Sequence, residues 1–78
     1  MKYFLSKHDN NLYYILNEHG NAVAMLAKKR DLEGRTVKIS WVLIEEGKVL
    51  RERSFIDREV ALGFYEDYKE NNEKQHKY

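Results

Sequence analysis

The chain has no cysteine, which excludes disulfide staples and the common zinc knuckles and fits a reducing cytosol. Proline is absent too, and no internal repeat or low-complexity tract is visible. Long apolar runs are missing. The longest, Leu12 to Leu16 and Trp41 to Ile44, fall far short of the ~20 residues of a helical membrane span, so no membrane association is expected. Residues 1–6 lack the apolar stretch and small-residue cleavage site of a signal peptide. Glycine is sparse, with four scattered residues and no phosphate-cradling loop among them. Charge of one sign is also missing, since 14 Lys plus Arg stand against 13 Asp plus Glu.

A mean hydropathy of −0.79 is in the range of disordered chains, but 13% aromatic residues and a net charge of +1 argue for folding. Seventy-eight residues allow one hydrophobic core. Residues 1–70 read as that single domain, and the polar stretch 71–78 (NNEKQHKY) reads as a frayed tail.

Apolar residues recur with period two through most of the domain. Lys2 to Ser6 and Leu12 to Asn17 read as strands, with a turn at Glu18 to Asn21. Ala22 to Lys28 is the third strand, followed by a long loop at Lys29 to Gly34. Arg35 to Ile44 alternates most cleanly, and a hairpin at Glu45 to Lys48 leads into a fifth strand, Val49 to Phe55. A two- or four-residue loop pairs Ile44 with Val49, Leu43 with Leu50, Trp41 with Glu52, Ile39 with Ser54 and Val37 with Ile56. The core face then takes Val37, Ile39, Trp41, Leu43, Leu50 and Ile56, and the opposite face takes Lys38, Ser40, Val42, Arg51 and Arg53.

Asp57 suits a helix N-cap, with Ile56 stapling onto Ala61. At 100° per residue, Val60, Ala61, Phe64, Tyr65 and Tyr68 share one arc of the helix, while Glu59, Glu66 and Glu70 share the far side. The expected fold is α+β: an antiparallel five-stranded β-meander with one C-terminal α-helix packed on one sheet face.

Three surfaces carry functional readings. Glu59, Glu66, Asp67 and Glu70 form an acidic helix face suited to a partner protein, or an ordinary solvated face. Lys28, Lys29 and Arg30 form either an anion or nucleic-acid site beside the helix N-terminus or a solvated loop. Lys38, Arg51 and Arg53 form a basic patch on the uncovered sheet face, suited to a DNA groove or to plain cross-strand pairing. Six tyrosines exceed what one helix and one sheet face can hide, and tyrosine is enriched at interfaces. Pairing with a second copy through a sheet edge or the uncovered face is a further reading.

No catalytic, cofactor or metal site is expected. His8 and His19 stand at opposite ends of the second strand, His76 lies in the tail, and Glu45-Glu46 falls in a solvated turn.

The segment GKVLRERSFIDREVALGFYEDY, Gly47 to Tyr68, resembles the end of small phage-encoded inhibitors of the anti-CRISPR type. Gly47, Lys48, Arg53, Phe55, Glu59, Phe64 and Tyr65 carry the likeness. The resemblance implies a stoichiometric inhibitor that coats part of a nuclease or surveillance complex. The sequence reading as a whole is therefore a cytoplasmic, non-catalytic protein-binding module, with a small nucleic-acid-binding domain as the alternative.

Overall fold

The structure, a computed structural model, describes residues 2–50 and 54–75, with side chains to residue 71. Along the chain come β1 (Phe4–Asp9), β2 (Leu12–Leu16), β3 (Ala22–Glu33), β4 (Thr36–Glu45), β5 (Lys48–Val49) and α1 (Arg58–Gln75). The sheet order is β1-β2-β3-β4-β5 with each neighbouring pair antiparallel. The fold is thus the expected meander with a C-terminal helix lying against the sheet.

Side chains alternate across a pleated strand, and this alternation sorts the chain into a covered and an uncovered face. Ile15 opposes Ala24, Leu26 opposes Tyr13, and Leu43 opposes Leu26. Ile15, Ala24, Leu26, Trp41 and Leu43 are buried beneath Ala61 and Tyr65 of α1, with Tyr3 and Phe55 closing the ends of this core. Edge-to-face pairs of Tyr3 with Tyr65 (5.0 Å) and Tyr13 with Trp41 (5.5 Å) knit it together. Such pairs add about 0.5–1.5 kcal/mol each beyond the area they bury.

Local chemistry sets the turns. The Asn17 carboxamide oxygen accepts the N–H groups of His19 (2.9 Å) and Asn21 (3.0 Å), which curls 17–21 between β2 and β3. Glu46 and Gly47 both take positive φ, 53° and 75°. This is the pattern of a two-residue type I′ hairpin turn, whose twist matches the flanking strands. At the other hairpin only the first of the two central residues, Gly34, has positive φ, as a type II′ turn requires. The Asp57 carboxylate accepts the Glu59 N–H at 2.8 Å, and the Asp57 carbonyl accepts the Ala61 N–H at 3.1 Å. Asp57 is therefore the N-cap expected from its residue type.

The structure corrects several expectations. Lys29 to Glu33 is not a loop: β3 continues through it, paired residue for residue with Thr36 to Ser40 of β4. The strands extend past the core as a two-stranded ribbon. Leu32, Val37 and Ile39 on it are 77%, 56% and 45% exposed, so Val37 and Ile39 leave the predicted core. The fifth strand holds its predicted register at Ile44–Val49, and Leu50 N–H donates to the Leu43 carbonyl at 3.0 Å. Trp41 then bridges Phe55 instead of Glu52, so the straight ladder does not persist; Glu52 itself lies outside the described residues. Ile39 and Val37 consequently gain neither Ser54 nor Ile56 as a partner.

Ile56 is 75% exposed and does not staple, and Val60 lies outside the buried arc at 53%. Leu62 packs on the core instead. β1 begins at Phe4, and α1 runs on through 71–75 of the predicted tail to Gln75.

Candidate protein- and nucleic-acid-binding surfaces

The ribbon beyond the core is the most distinctive surface. Trp41 pairs with Lys28, Ile39 with Arg30 and Val37 with Leu32. These six share the covered face, since residues directly opposite one another point to the same side. Lys29, Asp31 and Glu33 face the other way with Thr36, Lys38 and Ser40. On that other face the charges pair among themselves, Lys29 with Asp31 at 3.7 Å and Lys38 with Glu33 at 3.8 Å. The covered face bears Lys28 and Arg30 beside apolar Leu32, Val37 and Ile39, and no described carboxylate lies within ion-pair distance of either cation. One side of the ribbon is self-neutralised, and the other is apolar and cationic.

This geometry divides the basic cluster Lys28-Lys29-Arg30 between two faces, so it is not one site. Lys28 Nζ lies 5.6 Å from the centre of the Trp41 ring. Arg58, the first helical residue, stacks its guanidinium 4.3 Å from Tyr13 and 5.1 Å from Trp41. Lys28 thus reaches the neighbourhood of the helix N-terminus through Trp41, which Arg58 also covers. The place an anion would take there is occupied in part by the Asp57 carboxylate on the Glu59 N–H.

Of the second basic patch, Lys38 lies on the uncovered face as expected, although it is paired with Glu33. Ser40 is buried rather than displayed. Arg51 and Arg53 lie outside the described residues. Toward the β4–β5 hairpin this face is largely apolar: Tyr14, Val23, Met25, Ile44 and Gly47 line a shallow depression of about 220 Å³. Its ionisable lining is Tyr14 and Glu46, and the rest is apolar or glycine, so it can hold a small apolar group.

The acidic helix face survives in part. Glu59, Asp67 and Glu70 are exposed. Glu66 is half-buried and its carboxylate accepts the Tyr3 N–H at 3.1 Å, which ties the chain's start to the helix. Most tyrosines are likewise structural: Tyr3 and Tyr65 are buried, and Tyr13 and Tyr68 pack on the core. The surplus of tyrosine therefore builds the interior more than an interface.

Sequence reading missed Glu45. Instead of a solvated turn carboxylate, it points beneath the helix, where it accepts the Tyr65 hydroxyl and meets Lys69 Nζ at 2.7 Å. Burial and the bond to Glu45 push the Tyr65 hydroxyl far above the usual tyrosine range. Burial pulls the Lys69 ammonium down, but the Glu45 carboxylate outweighs it, leaving Lys69 above an ordinary lysine. A charge pair so engaged locks α1 to β4. Its signal in the sequence is faint: Glu45 continues the parity of Trp41 and Leu43 toward the covered face.

Among the described residues, no group of three His, Asp or Glu side chains can hold a metal ion, and no helix is long and apolar enough to cross a membrane. No protein-family model matches the chain, and no curated protein or solved structure matches it at a significant level.

Proposed function

We propose that the chain is a non-catalytic protein-binding module that engages its partner through the covered-side face of the β3–β4 ribbon. The observation that supports this most directly is the exposure of Leu32, Val37 and Ile39 together on one face of a projecting ribbon. Clustered exposed apolar side chains rimmed by polar ones mark interaction sites, and a two-stranded ribbon is only marginally stable in water without a surface to pack on. The likeness of Gly47 to Tyr68 to phage-encoded inhibitors adds a more specific reading, a stoichiometric inhibitor of a host protein or defence complex working in the cytosol. The acidic residues Glu59, Asp67 and Glu70 offer a second, separate contact surface on the helix.

Affinity capture tests the reading. The triple variant Leu32→Ser, Val37→Thr, Ile39→Thr should melt near the parent temperature yet lose the partner that the parent chain retains. A partner captured in full by that variant, and released by Glu59→Lys, Asp67→Lys, Glu70→Lys, would move the interface to the helix.

Nucleic acid is a second reading, favoured by one observation. From Lys28 to Lys38 the ribbon carries five cations against two acids, a local charge of +3, and a two-stranded ribbon fits the major groove. Affinity for duplex DNA should then fall with salt at a log–log slope of about −0.9 per phosphate neutralised. No complex at low salt would end that reading.

A further inference from the structure

The backbone of β4 carries an inference beyond the ribbon's side chains, resting on the protein-binding reading above. Trp41 N–H donates to the Phe55 carbonyl and Phe55 N–H donates to the Trp41 carbonyl, each at 2.7 Å. Both backbone polar groups of Trp41 thus point away from β3. Backbone direction repeats every second residue in a strand, so Ile39 and Val37 aim their N–H and C=O groups the same way. On that side β5 covers only Ile44 and Glu45, and after Phe55 the chain turns into α1. Among the described residues, the β4 edge at Val37 to Ile39 has no strand beside it. A fifth strand in the straight register would have covered it.

We propose that this edge takes up an extended segment of a partner protein as an added strand, and that the segment alternates apolar and acidic residues. Main-chain hydrogen bonds supply affinity in such strand addition, and alternate side chains supply specificity. On the covered face the added side chains would lie beside Val37 and Ile39, both apolar and exposed. On the other face they would lie beside Lys38, whose pairing with Glu33 at 3.8 Å is exposed on both sides and easily exchanged. The net +3 between Lys28 and Lys38, left on Lys28, Arg30 and Arg35 once the Lys29–Asp31 and Lys38–Glu33 pairs cancel, attracts an acidic segment as a whole. An antiparallel pairing of this edge with its own twin is disfavoured, because it would set Lys38 opposite Lys38, and like charges across strands repel.

The test uses the full chain and two synthetic peptides, one alternating valine with glutamate and one alternating valine with lysine. The glutamate peptide should bind, and should slow hydrogen exchange at the Val37 and Ile39 amides. Ile39→Pro removes an N–H that the β3–β4 ladder does not use, so the fold should tolerate it; affinity should drop at least tenfold. Should Ile39→Pro fail to fold, Val37→Pro, nearer the Gly34 turn, makes the same deletion. Absence of binding, equal binding of the lysine peptide, protection elsewhere, full affinity in the folded proline variant, or a dimer that occupies the edge would each overturn the proposal. A captured natural partner that survives the proline variant but not the Leu32, Val37, Ile39 triple variant would remove the added strand and leave the protein-binding reading standing.

Discussion

Glu45 shows how one side chain can hold two layers together. It sits on β4, and its side chain reaches α1 through the Tyr65 hydroxyl and Lys69 Nζ. Tyr65→Phe deletes a hydrogen bond to a charged group and should cost about 1.5–3 kcal/mol in urea unfolding. The pH dependence follows from the same contacts. Tyr65 and Lys69 both have raised proton affinity in the fold. The unfolded chain therefore releases these protons first, near pH 10, while the folded chain still holds them. Stability is complete below that point and falls above it, by up to about 1.4 kcal/mol per pH unit for each proton. Melts between pH 8 and pH 11 should show the decline, and Tyr65→Phe should make it shallower. At the other end of the helix, Asp57→Ala should cost about 1 kcal/mol by freeing the Glu59 N–H.

Among the elements, the hairpins carry the clearest prediction. Glu46 holds a φ of 53° in a type I′ position where asparagine is preferred. Glu46→Asn should therefore raise stability by a few tenths to about 1 kcal/mol, read as a shift in urea midpoint. The strands themselves were legible because Leu12 to Leu16 is rich in aromatic and branched residues and because Val37, Ile39, Trp41 and Leu43 alternate with Lys38, Ser40 and Val42. The I′ hairpin fixed the pairing of Ile44 with Val49. The ribbon was not legible, because Lys29 to Glu33 reads as polar loop by composition and no core contact marks it as a strand. The clue lay in β4: Val37 and Ile39 keep strict alternation, and a two-residue turn at Gly34-Arg35 obliges residues 29–33 to run beside them. Of the candidate site, residue type identified the cations but could not say that alternation sends Lys28 and Arg30 to one face and Lys29 to the other. The break of register after Leu50 left no trace in apolar pattern, since Phe55 and Ile56 are both apolar and either could have pointed inward.

The whole molecule is longer than its residue count requires. A compact chain of this size has a radius of gyration of about 11.5 Å, whereas this one measures 13.6 Å with a longest extent of 50 Å. Small-angle X-ray scattering should report that elongation, and shortening the ribbon should bring the radius toward the compact value. Charge is distributed along the same body: the ribbon carries +3 from Lys28 to Lys38, whereas Asp57 to Glu73 holds six acids and two bases. A near-neutral total therefore hides a basic ribbon and an acidic helical segment, and the affinity of a charged partner for either should weaken with salt.

The protein's single tryptophan, Trp41, sits where sheet, helix and ribbon meet, roofed by Arg58 and flanked by Lys28 and Tyr13. Its intrinsic emission is accordingly a built-in gauge of helix docking. A ligand seated near the ribbon's tip would leave the colour of that light unchanged, whereas anything that prises α1 from the sheet would let water reach the indole and redden it.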